Sequence, residues 1–224
     1  MQHHPPAKTI ACLFDLDGVL VDTAVYHYKA WKQLANSLGF DFTEAQNEHL
    51  KGVNRMRSLD MILNWGGVEK TETQKLALAA QKNEWYVAMI DRMTQAEVLP
   101  GSVALLENLR QAGIKIALGS ASKNSGMILQ RTKLTHFFDA IVDGNVVSKS
   151  KPDPEVFVKG AQLLGVPVAD CVVFEDAQAG IEAALAGGMK AIGVGQEANL
   201  KGAQLYVKDL SQLSVKDIVA LTEK

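Results

Sequence analysis

A chain of 224 residues, 47% hydrophobic and 21% charged, has the makeup of an ordinary globular protein: one large domain, or one domain carrying an insert. Its formal charge of -2 provides no global field to draw nucleic acid or an anionic membrane, and no apolar run reaches the length of a membrane span, so neither partner is expected. The opening "MQHHPPAK" lacks the apolar core of a secretion signal, so it reads as a flexible tail on a cytoplasmic protein.

The first predicted element is a strand, "TIACLFD" (9–15), bounded by polar residues. From about residue 24 to 93 the pattern is helical. "VYHYKAWKQLANSLG", "NRMRSLDMILNW" and "TETQKLALAAQKNEWYVAMIDRM" repeat apolar residues at helical spacing, and no strand interrupts them. "LPG" (99–101) then opens a regular alternation. Strands are predicted at "IKIALG" (114–119), "DAIVDG" (139–144), "DCVVFED" (170–176) and "KAIGVG" (190–195). Helices are predicted at 102–112, about 124–134, 154–165 and 177–187, with stops at Gly113, Gly165 and the pair Gly187–Gly188. Near-continuous apolar strands alternating with amphipathic helices indicate an α/β fold with a parallel sheet covered on both faces. The expected organisation is a core of residues 1–22 and 95–224, interrupted by a helical cap at 23–94. Cys12 and Cys171 each lie in a strand-like run and read as reduced core residues, not as a disulfide or a metal site.

"LFDLDGVLVD" (13–22) carries the first chemical signal. Residues i and i+2 of a strand point the same way, so Asp15 and Asp17 project together at or just past its carboxyl end, the edge where open α/β sheets bind ligands. Glu175 and Asp176 end the apolar run "CVVF" in the same kind of place. Four acidic groups at one edge call for a hard divalent cation, and ligation by oxygen alone favours Mg²⁺ over zinc. "LGSASKN" (118–124) follows a strand and opens a helix; its small residues let backbone N–H groups approach an anion. Lys151 stands before a proline at another helix start, in "SKSKPDPEVF" (148–157). A carboxylate nucleophile, a metal and a phosphate cradle are the equipment for phosphoryl transfer through an aspartyl phosphate. Taken singly, each feature has a plainer reading. Aspartates end strands in turns, and serine and asparagine cap helices. Arg55 or Arg57 alone is a surface charge, Lys82 an exposed helix lysine, and His27 a packing residue among Tyr26, Tyr28 and Trp31.

"FDLDGVLVDT", "GSASKN", "KPDPEVF" and "EDAQAGIEAA", in this order, resemble the motifs of the haloacid dehalogenase superfamily of phosphotransferases, whose Rossmann-like core carries a small α-helical cap after the first motif. "DTAVYHYKAW", "LKGVNRMRSL", "QKNEWYVAMI" and "GSASKN" are similar, within it, to the β-phosphoglucomutase branch. That resemblance implies a phosphomutase that interconverts β-D-glucose 1-phosphate and glucose 6-phosphate through an aspartyl phosphate and a 1,6-bisphosphate. By the same resemblance Asp15 is the nucleophile and Asp17 the general acid/base. Mg²⁺ is held by Asp15, the Asp17 backbone carbonyl and Asp176, with Glu175 in support. Ser120, Ala121 and Lys151 receive the phosphoryl group in flight. Arg55, Ser122, Lys123 and Asn124 hold the second phosphate, with Gly52, Val53 and Ser58 of the cap loop at the substrate beside them. Lys82 and His27 reach the sugar or orient Asp17, and Thr23 marks the first hinge. Asn54 departs from the serine common in these mutases. The implied partner is a small sugar phosphate, and the implied state a monomer. Two alternatives stay open: a sugar-phosphate or small-metabolite phosphatase on the same scaffold, and a non-catalytic metabolite-binding regulator. The cap arginine and a double phosphate cradle favour the mutase over the first. Intact Asp15, Asp17, Lys151 and Asp176 speak against the second.

Overall fold

The computed structural model describes residues 9–195 and 200–223; the tail at 1–8, read above as flexible, lies outside them. The strands among these residues are β1 (Ala11–Phe14), β2 (Lys115–Gly119), β3 (Ala140–Val142), β4 (Cys171–Glu175), β5 (Lys190–Val194) and β6 (Leu205–Val207). They form one sheet in the order β3-β2-β1-β4-β5-β6, and every pairing is parallel. β1 lies at the centre. The chain builds outward from it through β2 and β3 on one side, then returns to add β4, β5 and β6 on the other. A crevice opens where the winding changes direction, beyond the carboxyl ends of β1 and β4, and there ligands bind in sheets of this kind.

The strand sequences explain their burial on both faces. Cys12, Phe14, Ile116, Leu118, Val172 and Phe174 point to one side, where α5 (Ser102–Gln111), α6 (Ser125–Arg131) and α9 (Val215–Thr222) cover them. Ala11, Leu13, Ala117, Cys171 and Val173 point to the other, under α7 (Glu155–Leu164) and α8 (Gln178–Ala186). Alternate residues therefore serve opposite layers, and both layers are apolar, which erases the polar alternation of a one-sided sheet. Cys12 and Cys171 are buried and free, and burial lifts the Cys171 thiol to about 12, so neither is a ready nucleophile.

Four helices fill the insert: α1 (Ala24–Ser37), α2 (Glu44–Glu48), α3 (Arg55–Trp65) and α4 (Glu72–Ile90). α1, α3 and α4 share a separate apolar cluster that includes Trp31, Leu34, Leu59, Ile62 and Ala79, joined by Phe42 and Leu50 from either side of α2. The helix starts are set by local side chains. Thr43 and Thr71 each form a capping box with the glutamine three residues on. Asn54 caps α3, its side chain accepting from the Arg57 amide. Asparagine and serine cap equally well, so the departure at position 54 costs the helix nothing. The two crossings between helical insert and sheet run side by side, joined by Asp22 N–H to the Glu97 carbonyl and Leu99 N–H to the Leu20 carbonyl, both at 2.9 Å.

The structure adds three elements to the sequence reading: the short helix α2, β6 and α9. The three residues of β6 are too few to show a period, and α9 buries little besides Ile218 and Thr222. The helix expected to reach residue 134 ends at Arg131, because Lys133 turns left-handed at φ 59°.

Candidate active site

A cavity of about 550 Å³ opens between the sheet edge and the helical cap. Its floor is the turn after β1. Asp15, 6% exposed, donates its backbone N–H to the Phe174 carbonyl at 3.0 Å, which fixes it between the ends of β1 and β4. Asp17 also faces the cavity and accepts a short hydrogen bond from the Thr23 hydroxyl. Burial, and next the charge of Asp15, push the Asp17 carboxyl up to about 7. A carboxyl poised there can give or take a proton at neutral pH.

Lys151 reaches this floor from the turn that leads into α7. Its ammonium donates to Asp15 Oδ1 and to Glu175 Oε1, each at 2.5 Å. Burial opposes the charge on Lys151, but the two carboxylates outweigh it and hold the ammonium above its usual pKa. Glu175 is fully buried, and its second oxygen accepts the Ala177 N–H at 2.9 Å. A glycine at 180 is what makes room for it, since a Cβ there would overlap the Glu175 carboxyl. Gly18 serves Asp176 similarly: its φ is +82°, and a Cβ would strike the Asp176 carboxylate.

One oxygen from each of Asp15, Glu175 and Asp176 lies within 4.8 Å of the others. Burial, the largest effect, raises Glu175 to about 8 and Asp176 to about 7. A crowded set of hard oxygen donors, raised by burial and by one another's charge, fits a divalent cation, which would restore the ionised forms. The Asp17 carboxylate is not in this set. A cation from the cap approaches the cluster at Asp176: the Lys51 ammonium lies 3.3 Å from that carboxylate and 2.9 Å from Glu48.

A second set of polar groups on the same cavity gathers around Arg55. Arg55, at the first turn of α3, donates to Asn83 Oδ1 of α4 at 2.7 Å, and Asn124 donates to the same oxygen at 3.0 Å. One amide oxygen thus joins the cap arginine to the core loop. Asn54 adds another link across the cleft, donating to the Ser150 hydroxyl at 2.7 Å. Lys82, on the same cavity, is 2% exposed; its ammonium sits 3.0 Å from His27 Nδ1 and 4.4 Å from the Trp31 ring centroid. Burial and the nearby Arg55 charge bring Lys82 down to about 7. Burial, then Lys82 and Arg55, hold His27 well below its ordinary value.

Of the residues singled out from sequence, Asp15, Asp17, His27, Gly52, Val53, Arg55, Ser58, Lys82, Ala121, Ser122, Lys123, Asn124, Lys151 and Asp176 line the one cavity. Ser120 and Glu175 stand behind its wall, both fully buried. The loop amides are also less bare than "GSASKN" suggests. The Ser120 hydroxyl accepts from the Ser122 N–H and the Ser122 hydroxyl from the Asn124 N–H, each at 3.1 Å. Arg57 is exposed and lies off the cavity, which separates it from Arg55. Sequence reasoning did not single out Asn83, Lys51 or Tyr86 as site residues. The available signal was helical spacing: Ala79, Lys82, Asn83 and Tyr86 fall on one face of α4.

A family model described as haloacid dehalogenase-like hydrolase matches residues 11–188. The chain belongs to that family. Within the family it is 44% identical over 208 residues to a β-phosphoglucomutase of Bacillus subtilis (strain 168), covering 92% of each chain. It superposes on the crystal structure of a β-phosphoglucomutase from Clostridium difficile with a TM-score of 0.92 at 41% identity, covering 96% of this chain and 97% of that one. A family member of another activity, the fructose-1-phosphate phosphatase YqaB of Escherichia coli (strain K12), is 32% identical over 182 residues, covering 81% of this chain and 94% of its own. Among the described residues no helix is long and apolar enough to cross a membrane.

Proposed function

We propose that this enzyme is a Mg²⁺-dependent β-phosphoglucomutase, a cytoplasmic monomer whose helical cap spans residues 23–94. It interconverts β-D-glucose 1-phosphate and glucose 6-phosphate. The observation that supports the reading is that two cationic centres with separate partners line one cavity: Lys151 beside Asp15 at the sheet edge, and Arg55 joined through Asn83 to Asn124. A bisphosphate needs both centres, and a monophosphate needs one.

In this mechanism Asp15 attacks the phosphorus of a bound sugar bisphosphate. An Asp15–phosphorus bond forms, the bond to the sugar oxygen breaks, and Asp17 protonates the departing oxygen. The reverse transfer returns the phosphoryl group to the other hydroxyl of the sugar, whose proton Asp17 removes. Lys151 orients Asp15 and balances charge on the phosphoryl group. Ala121 and the loop serines surround that group, while Arg55, Lys123 and Asn124 hold the distal phosphate. Lys82 and His27 lie along the sugar. Mg²⁺ held by Asp15, the Asp17 carbonyl and Asp176, with Glu175 in support, would supply positive charge to the transferring oxygens. The cap excludes water, which would otherwise hydrolyse the aspartyl phosphate.

Phosphorus NMR on the enzyme with Mg²⁺, β-glucose 1-phosphate and a trace of bisphosphate tests this directly. The expected product is glucose 6-phosphate, and chelation of the metal is expected to stop its formation. Ca²⁺ should not replace Mg²⁺, because the larger ion accepts more ligands in looser geometry. Release of inorganic phosphate as the main product would favour the second reading, a sugar-phosphate phosphatase, which the similarity to the fructose-1-phosphate phosphatase supports.

Arg55→Ala separates the two centres. It should leave phosphorylation of Asp15 by acetyl phosphate near the wild-type rate, since that donor has no distal group. Mutase kcat/KM should fall about 100-fold, in keeping with the few kcal/mol lost when one partner of a desolvated charge pair is removed. Paired kinetics on the two donors make the comparison; equal losses would place Arg55 in the core site or the fold.

A further inference from the structure

Tyr86 has no place in the chemistry described so far, yet it is the residue that the cavity leaves unfinished. It is 1% exposed, and among the described residues its hydroxyl is the buried side-chain polar atom without a hydrogen-bond partner. A buried hydroxyl left unpaired costs free energy, so the fold keeps one where something else pairs with it. The residue lines the cavity that holds Asp17. Its ring cannot swing aside. His27 stacks on it at 4.2 Å between centroids, and the Lys82 ammonium sits 4.7 Å from its centroid. The Thr23 hydroxyl lies near enough to lower the Tyr86 phenol slightly, but it gives its proton to Asp17 and does not come within hydrogen-bonding geometry of the Tyr86 hydroxyl. Burial, and next the Asp17 charge, raise the Tyr86 phenol well above its ordinary pKa, so it remains a neutral donor at working pH.

We propose that the Tyr86 hydroxyl is a substrate-contacting group, donating a hydrogen bond to a hydroxyl of the sugar close to the oxygen that reacts at Asp17. This rests on the sugar-phosphate reading above. It gives the cap a direct means of recognising the sugar besides its phosphates. A site that hydrogen-bonds a substrate hydroxyl discriminates strongly against the analogue that lacks it, because the protein group is then left unpaired.

Tyr86→Phe removes one oxygen and keeps the ring between His27 and Lys82. The expected melting temperature of the free enzyme is unchanged or slightly raised, since the atom removed has no partner there. Calorimetric affinity for glucose 6-phosphate should weaken about tenfold, and kcat/KM for β-glucose 1-phosphate should fall by at least as much. Among the 2-, 3- and 4-deoxy analogues of β-glucose 1-phosphate, one should bring the wild-type to Tyr86→Phe ratio close to one, identifying the partner hydroxyl. A melting temperature lowered by several degrees would show that the hydroxyl is satisfied within the protein and would overturn the proposal. So would unchanged affinity for glucose 6-phosphate, or a ratio that stays constant across all three analogues. Failure of the mutase reading shows separately, as wild-type enzyme that forms no glucose 6-phosphate. The melting and calorimetric measurements decide the role of Tyr86 in that case too.

Discussion

Asp15→Asn is expected to abolish turnover and leave the fold intact. The amide is too poor a nucleophile for the covalent step, whereas the carboxylate is placed for it by the ends of β1 and β4. An asparagine of the same shape keeps the backbone bond from residue 15 to the Phe174 carbonyl and still offers Lys151 an acceptor oxygen. The loss should exceed 1,000-fold, the scale seen when an acting nucleophile is removed. Phosphorus NMR for product and circular dichroism for the fold would make the check together. Appreciable turnover by well-folded protein would remove Asp15 from the role.

Lys151→Met is expected to damage both activity and stability. The ammonium is bonded to Asp15 and Glu175, and its side chain is 1% exposed. Taking it away leaves two buried carboxylates facing each other without a counter-charge. Breaking a buried pair in this way costs about 3–5 kcal/mol, and the lower end applies here because Glu175 escapes by taking up a proton. Each kcal/mol lowers the melting temperature of a chain this size by about 2–4 °C, so a fall near 10 °C is expected. The double variant Lys151→Met, Glu175→Gln should recover most of that stability and none of the turnover. Thermal unfolding of the single and double variants tests the charge argument apart from the chemistry. A single variant that melts with the wild type would mean that Lys151 does not hold these carboxylates in solution.

The opening motif shows how far sequence alone carries the argument. "LFDLD" places two aspartates two residues apart, and strand periodicity alone puts both on one side. Their convergence with Asp176 was expected for a similar reason: both acidic pairs end apolar runs, and apolar runs in an α/β chain become neighbouring strands. The register of β1 on β4, with Phe14 opposite Phe174, brings Asp15 level with Glu175 as that argument requires. Asn83 and Lys51 were not legible in the same way. Neither type is rare on a helix or in a loop, and each acquires its meaning from a partner distant in the chain, Asn124 for the first and Asp176 for the second.

The sequence by itself determined the elements and the chemical equipment of this protein: which runs become strands, where glycine and capping residues stop and start the helices, and which side chains are able to attack, protonate or bind phosphate. These follow from local properties, namely periodicity, propensity and the chemistry of single groups. The tertiary structure decided which of those groups act together. It buried Lys82 against Trp31, drew Arg55 into the cavity while leaving Arg57 exposed, set Ser120 behind the wall, and left the Tyr86 hydroxyl unpaired. Burial and pairing depend on contacts between residues tens of positions apart, and the free energy of a charge or a hydroxyl is fixed by those neighbours rather than by its own place in the chain.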